Sequence, residues 1–176
     1  SMPGRKIPLV TGEYYHIFNR GINKQPIFFG TRDFDRILLL LEFYSFDRPK
    51  LRFSKYQQLS QKDRKIFFDE LSEKHKKIID IISFCFMPNH FHLLIRQLKE
   101  NGISRFTGIL QNSYTKYFNV KHKKIGPLLQ GQFKAVRVED DSQLLHLSRY
   151  IHLNPYTSFI VKELSELKNY QWSSFM

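Results

Sequence analysis

The run from Ile78 to Arg96, IIDIISFCFMPNHFHLLIR, constrains this chain more than any other stretch. Two apolar segments of strand length flank Met87-Pro88-Asn89, where proline and asparagine favour a tight turn. The stretch therefore predicts a two-strand unit whose second strand opens with His90-Phe91-His92. Strand side chains alternate between faces, so His90 and His92 point one way while Phe91, Leu93 and Ile95 point the other way into a core. Two imidazoles side by side on one sheet face can share a divalent cation. By spacing alone they are more often structural or surface histidines, so the rest of the chain must decide.

The remaining elements follow from periodicity. Tyr14 to Arg20, YYHIFNR, predicts a first strand closed by Gly21, and residues 1–12 read as a loose basic arm. His16 on that strand could reach a site, but a hydrogen-bonded structural histidine is the better reading. Asp33 to Phe46 predicts a helix, with Phe34, Ile37, Leu38, Leu41 and Tyr44 at helical spacing. Thr31 offers its N-cap, Asp33 and Asp35 suit its first turn, and Pro49 ends the segment. Residues 47–77 are the most polar part and predict one or two amphipathic helices on the domain's edge, anchored by Leu59, Phe67, Phe68 and Leu71. They read as an insertion without a catalytic role. Asn101-Gly102 breaks the chain before a helix from Ile103 to Asn119, in which Gly108 is expected to mark a close approach. A turn-rich loop, Lys121 to Gly131, leads to a strand from Gln132 to Glu139. Asp140 or Asp141 then caps a helix running to about Leu153, with Pro155 enforcing its end. Leu144, Leu147 and Ile151 form its core stripe, while His146, Tyr150 and Asn154 recur every fourth residue on another face. Trp172 in the tail reads as a closing core residue. This order predicts one α+β domain over residues 1–176, a ferredoxin-like antiparallel sheet with packed helices and the polar helical insertion at 47–77.

Charge points to a partner. Lys and Arg number 28 against 16 Asp and Glu, a formal net charge of +12, which favours a polyanion such as nucleic acid. From Asn101 to Val138 there is no acidic residue, while Arg105, Lys116, Lys121, Lys123, Lys124, Lys134 and Arg137 fall inside that window. Solvated faces usually mix signs, so this one-sided stretch is the stronger signal. Tyr114, Tyr117, Phe118 and Phe133 among those cations could stack bases, though core packing suits most of them better. Cys85 is the lone cysteine, which excludes an intrachain disulfide framework and suggests a reducing compartment. No apolar run approaches the ~20 residues of a membrane span, and SMPGRKIPLV lacks the apolar centre of a signal peptide.

If the last helix packs on the histidine face, Tyr150 and Asn154 can meet His90 and His92. Two imidazole nitrogens and the Asn154 amide oxygen would suit Mg²⁺ or Mn²⁺, leaving positions for substrate oxygens. A tyrosine phenol can attack phosphorus and hold one half of a cut strand covalently, which needs no ATP. On periodicity alone Tyr114 and Tyr117 rival Tyr150 as nucleophile, and His146 and His152 are better read as packed or solvent-facing. Three readings stay open at this point: a strand-transfer enzyme, a non-catalytic hairpin DNA- or RNA-binding regulator, and a metal phosphodiesterase that activates water.

MPNHFHLL, ISRFTGILQNSYTKYFN, GPLLQGQFKAVRVEDD, RYIHLNPY and YQWSSF, occurring in that order, resemble the single-tyrosine HUH transposases, above all the branch associated with repetitive extragenic palindromes (REPs). YYHIFNRGINKQPIF is similar to that family's opening strand and loop. The resemblance covers residues 14–46 and 78–175. It implies an HUH endonuclease-like fold, His90, His92 and Asn154 as metal ligands, and Tyr150 as nucleophile. It implies cleavage of single-stranded DNA near a hairpin through a 5′-phosphotyrosine, with rejoining by the reverse step. Asn19-Arg20-Gly21 and the acid-free window are then the expected DNA contacts. A bacterial, cytoplasmic setting is implied as well, and monomer and homodimer both remain open.

Overall fold

The computed structural model describes residues 8–47, 51–74 and 76–175. The first residues of the basic arm and the boundary at Pro49 lie outside the described residues. A four-stranded antiparallel sheet has the spatial order β2-β3-β1-β4, with β1 at Tyr14–Arg20, β2 at Ile79–Met87, β3 at His90–Gln97 and β4 at Lys134–Arg137. The helices are α1 (Thr31–Tyr44), α2 (Phe53–Tyr56), α3 (Gln61–Glu73), α4 (Gly102–His122) and α5 (Asp141–Thr157). This is the α+β, ferredoxin-like arrangement expected from the sequence.

Alternation along the strands sorts the two faces. Tyr15 and Ile17 of β1, with Phe91, Leu93 and Ile95 of β3, join Phe34, Ile37, Phe106, Leu110 and Tyr114 of α1 and α4 in the main core. The opposite face carries Cys85, Met87 and Leu94, covered by Ile151 of α5 and by Val138. Burial among these side chains pushes the Cys85 thiol up to about 12. The histidine pair thus lies under the last helix, not under α4. The tail covers the edge strand: the Phe86 amide donates to the Trp172 carbonyl at 2.8 Å, and Trp172 stacks on Phe34 at 4.6 Å. Pairing an exposed edge in this way blocks sheet extension by another chain.

The polar segment folds as α2 and α3. Phe68 and Tyr56 pack on Phe43 and Phe46 of the α1 end, with Leu59, Phe67 and Leu71 around them. The predicted anchors therefore hold these helices to the edge of the sheet domain.

Several local expectations change. Gly30, not Thr31, is the N-cap of α1, and Thr31 is its first helical residue. Asp33 is not a solvated first-turn acid but is fully buried, bonded to the Phe29 amide and to Lys121, His122 and Tyr117. Gly108 faces open space; the close approach belongs to Gly102, where a Cβ would meet the Ile78 carbonyl oxygen at 2.4 Å. β4 is shorter than the predicted strand. Helix α4 runs to His122, a turn past Asn119. Helix α5 continues through Pro155 to Thr157 rather than stopping near Leu153. Proline removes one internal hydrogen bond, but Asn154 and Pro155 are both buried, and the Ser158 amide closes on the Asn154 carbonyl at 2.9 Å. Packing holds the turn that the local rule would end.

Candidate active site

The site is built where β1, β3 and α5 meet. In the β1–β3 register Phe18 faces His92 and Arg20 faces His90. His16, Phe18 and Arg20 therefore share a face with His90 and His92. Asp140 caps α5, its carboxylate accepting from the Gln143 amide at 2.7 Å, and the helix crosses β2 and β3. Because the helix is unbroken past Pro155, Tyr150 and Asn154 stand one turn apart on the side toward the histidines.

The distances bring the expected catalytic group together within one chain. The Tyr150 ring lies edge-on to His92, 5.6 Å between centroids, and His90 and His92 stand at 5.2 Å. Tyr150 is 44% exposed, whereas Asn154 is 4% and His92 8% exposed. Asn154 donates its amide to the Tyr150 carbonyl at 3.4 Å, and its side chain also hydrogen-bonds the His90 ring. An exposed phenol over one buried and one half-buried imidazole can reach a substrate that the imidazoles help to hold.

Burial keeps these imidazoles neutral. It pushes His92 down to about 3, with the neighbouring His16 and His90 adding to the effect, and His16 down to about 4. Burial lowers His90 as well, aided by the Arg20 charge and opposed by the Asn154 bond. A neutral imidazole is the form that ligates metal.

Nδ1 of His90 lies 2.6 Å from the side-chain oxygen Oδ1 of Asn89, and Nδ1 of His92 lies 2.9 Å from Nε2 of His16. Each ring therefore spends Nδ1 inside the protein, the usual arrangement behind a ligating histidine, and Asn154 is a second partner of the His90 ring. Two imidazoles and an amide carry no charge, and among the described residues no group of three or more His, Cys, Asp or Glu is arranged to hold an ion. The set fits a hard cation provided that substrate supplies anionic oxygen.

Beside the histidines opens a groove of about 500 Å³ lined by Phe18, Arg20, Lys24, Asn89, Gln130 and Lys134, among others. It collects Asn19, Arg20 and Lys134 from the expected DNA contacts and adds Lys24. Asn19 lines the groove wall but is buried, its amide donating to Gln111 at 2.7 Å and to the Gly131 carbonyl at 3.2 Å. Arg20 donates Nε to Gln130 at 2.5 Å, and the Lys134 ammonium stands 6.0 Å over the Phe18 ring. The other expected contacts are placed differently. Arg105 pairs with Asp47 at 2.5 Å, Lys121 with Asp33 at 2.6 Å and Arg137 with Glu13 at 3.1 Å. Lys124 lies over Phe29 and Phe118, while Lys116 and Lys123 are exposed on and just after α4.

The rival tyrosines sit on the far side of the sheet. Tyr114 is buried and donates to the Ile27 carbonyl at 2.6 Å; burial raises its pKa. Tyr117 donates to Asp33 at 3.0 Å. His152 bonds Ser174 at 2.9 Å, and His146 lines a small cavity on the other side of Tyr150. His16, read from the sequence as structural, proves to be hydrogen-bonded inside the site itself. The signal was present in β1, where His16 and Phe18 alternate onto one face, but only the pairing of β1 with β3 shows what they meet. No described helix is long and apolar enough to cross a membrane.

Three matches to known proteins bear on this site. A family model described as "Transposase IS200 like" matches residues 48–154, more than half of the chain and including the polar segment. A solved structure of a REP-associated tyrosine transposase bound to a REP hairpin aligns over 99% of this chain and 83% of its own. Its TM-score is 0.59 at 15% identity, a likeness of fold. A cysteine–tRNA ligase from Acholeplasma laidlawii is 24% identical over 109 residues, 59% of this chain. This chain spans about a quarter of that ligase, 24% of its length.

Proposed function

The chain belongs to the family of IS200-like transposases, and from that premise we propose that it is a divalent-metal-dependent endonuclease and strand transferase for single-stranded DNA beside hairpins. The observation that carries the reading is the half-exposed Tyr150 ring 5.6 Å from His92 of the same chain. The structural relative was solved with a REP hairpin, and a hairpin flanked by single strands is the substrate proposed here.

The groove residues do the binding. Arg20, Lys24 and Lys134 meet the phosphates, and Phe18 offers an aromatic face to an unpaired base. Tyr150 then attacks the scissile phosphorus. Its proton leaves to solvent, the bond from phosphorus to the 3′ oxygen breaks, and that oxygen takes up a proton as a free 3′-OH. The 5′ phosphate remains on Tyr150 as a diester, and a 3′-OH from a second strand reverses the step without loss of phosphodiester energy. His90, His92 and Asn154 would hold Mg²⁺ or Mn²⁺ beside the reacting phosphate. Such an ion, when bound, polarises a phosphoryl oxygen and offsets transition-state charge.

A labelled hairpin oligonucleotide with single-stranded flanks tests this. Covalent adducts are expected with Mn²⁺ and lost in the His90→Ala, His92→Ala double variant. Adducts undiminished in excess chelator would remove the metal from the reaction. Binding without any adduct would leave a regulator, and cleavage without an adduct would indicate water as nucleophile.

A further inference from the structure

His16 is an imidazole in the site with no part in the nucleophile or the ligand set described above. We propose that His16 is a positioning residue: it accepts the Nδ1 proton of His92 and so holds His92 in the tautomer whose Nε2 lone pair faces the substrate side. The value of this clamp to catalysis rests on the metal reading of the site, but the clamp itself can be measured without it.

The geometry is specific. Nε2 of His16 lies 2.9 Å from Nδ1 of His92, with the rings 25° from parallel and 5.1 Å apart. A neutral imidazole has one N–H and one acceptor nitrogen, so a single proton sits between the two rings. If His92 holds it, Nε2 of His92 is an acceptor; if His16 holds it, that nitrogen carries hydrogen and cannot ligate. The second ligand shows which way the site is arranged. Nδ1 of His90 meets the side-chain oxygen of Asn89, which can only accept, so His90 carries its proton on Nδ1. Asn89 is itself oriented by donating its amide to the Lys24 carbonyl at 3.2 Å. Both ligands are thus gripped at Nδ1, one by an asparagine from the turn and the other by a histidine from the neighbouring strand.

The surroundings fix His16 for this task. Phe18 lies 4.7 Å from it along β1, and the Tyr150 ring stands edge-on at 6.2 Å. In the register His16 faces Leu94 and Phe18 faces His92, so His16 is the diagonal neighbour of His92. Its Nε2 is spent on His92, which separates its role from that of a third ligand.

Two substitutions separate the hydrogen bond from the packing. His16→Gln can present an acceptor oxygen near the lost Nε2, while His16→Phe keeps a stacked ring with no acceptor. The first measurement needs no variant: ¹⁵N NMR of the wild-type imidazoles without metal should show His92 protonated on Nδ1. The second is Mn²⁺ affinity, read by electron paramagnetic resonance with the hairpin oligonucleotide in a Tyr150→Phe background that leaves the DNA intact. His16→Phe should weaken Mn²⁺ binding about 10- to 100-fold, the usual effect of losing a partner behind a ligand. His16→Gln should stay within about threefold of the parent, as retained acceptor geometry requires. Nε2 protonation of wild-type His92, unchanged Mn²⁺ affinity in a folded His16→Phe, or equal loss in both variants would each overturn the proposal. Nδ1 protonation with no Mn²⁺ uptake would sink the metal reading while upholding the clamp. Nε2 protonation with normal uptake would do the reverse.

Discussion

Replacing Asp33 by asparagine should destabilise the fold by about 3 kcal/mol, and the number can be built from the contacts. Asp33 is wholly buried, and its two oxygens accept four hydrogen bonds. Oδ2 takes the Phe29 amide and His122 Nε2, both at 2.9 Å, while Oδ1 takes Lys121 Nζ at 2.6 Å and the Tyr117 hydroxyl at 3.0 Å. Burial alone would push this carboxyl up, but these bonds outweigh it and hold the carboxyl below its ordinary value. Asparagine offers one acceptor oxygen, so one pair of donors would face an NH₂ group instead. A buried donor left unpaired costs about 1–3 kcal/mol. The Lys121 side chain is 32% exposed and can turn to water, so its share is small. Two affected donors plus the lost charge give about 3 kcal/mol, and Tm should fall by about 6–12 °C for a domain of this size. Urea and thermal unfolding of Asp33→Asn and of Lys121→Met measure both. Lys121→Met should cost about 1 kcal/mol or less, as a partly exposed ion pair does. An Asp33→Asn protein within about 0.5 kcal/mol of wild type would refute the reasoning, since that is the range of an ordinary surface change.

Other expectations follow from the same contacts. Lys134→Ala or Arg20→Ala should lower the slope of log affinity against log salt for hairpin DNA by about 0.7–1 each. Arg105→Ala, already paired with Asp47, should change it little; fluorescence anisotropy across a salt series checks this. Gly102→Ala should lower Tm, because its Cβ would press on backbone at 2.4 Å, whereas Gly108→Ala faces open space and should raise stability by about 0.5–1 kcal/mol. Acid should unfold the protein early. His16 and His92 are depressed to about 4 and about 3 in the folded state, so the unfolded chain binds more protons once pH falls below about 6.5. Stability is therefore full above that pH and declines down toward the folded values, by roughly 1–2 kcal/mol per pH unit for the pair after allowing for solvent near His16. Urea melts between pH 7 and 5 should show that decline in wild type and a shallower one in His16→Phe.

The parts legible in the sequence were those set by neighbours along the chain. Alternation placed β1 to the residue and sent Phe91, Leu93 and Ile95 into the core. Fourfold spacing put Tyr150 and Asn154 on one helical face. What escaped depended on partners distant in sequence. The acid-free window looked uniformly basic, yet the acids that pair with it, Asp33, Asp47 and Glu13, all precede it. Counting charge along a segment cannot show such neutralisation. The rule that helices end before proline failed at Pro155 because burial of that turn overrode it. The polar segment 47–77 carried no recognisable motif, although the family match spans most of it.

The most direct test of the account is the identity of the residue that carries DNA. A hairpin oligonucleotide is cut by the protein with Mn²⁺, the adduct is digested with trypsin, and the nucleotide-bearing peptide is sequenced by mass spectrometry. Cleavage after Arg149 releases a peptide beginning at Tyr150 that also holds Tyr156, and fragmentation distinguishes the two. The account predicts the nucleotide on Tyr150 and no adduct from Tyr150→Phe. A nucleotide on Tyr114, Tyr117 or Tyr156, or undiminished adduct from Tyr150→Phe, would contradict it.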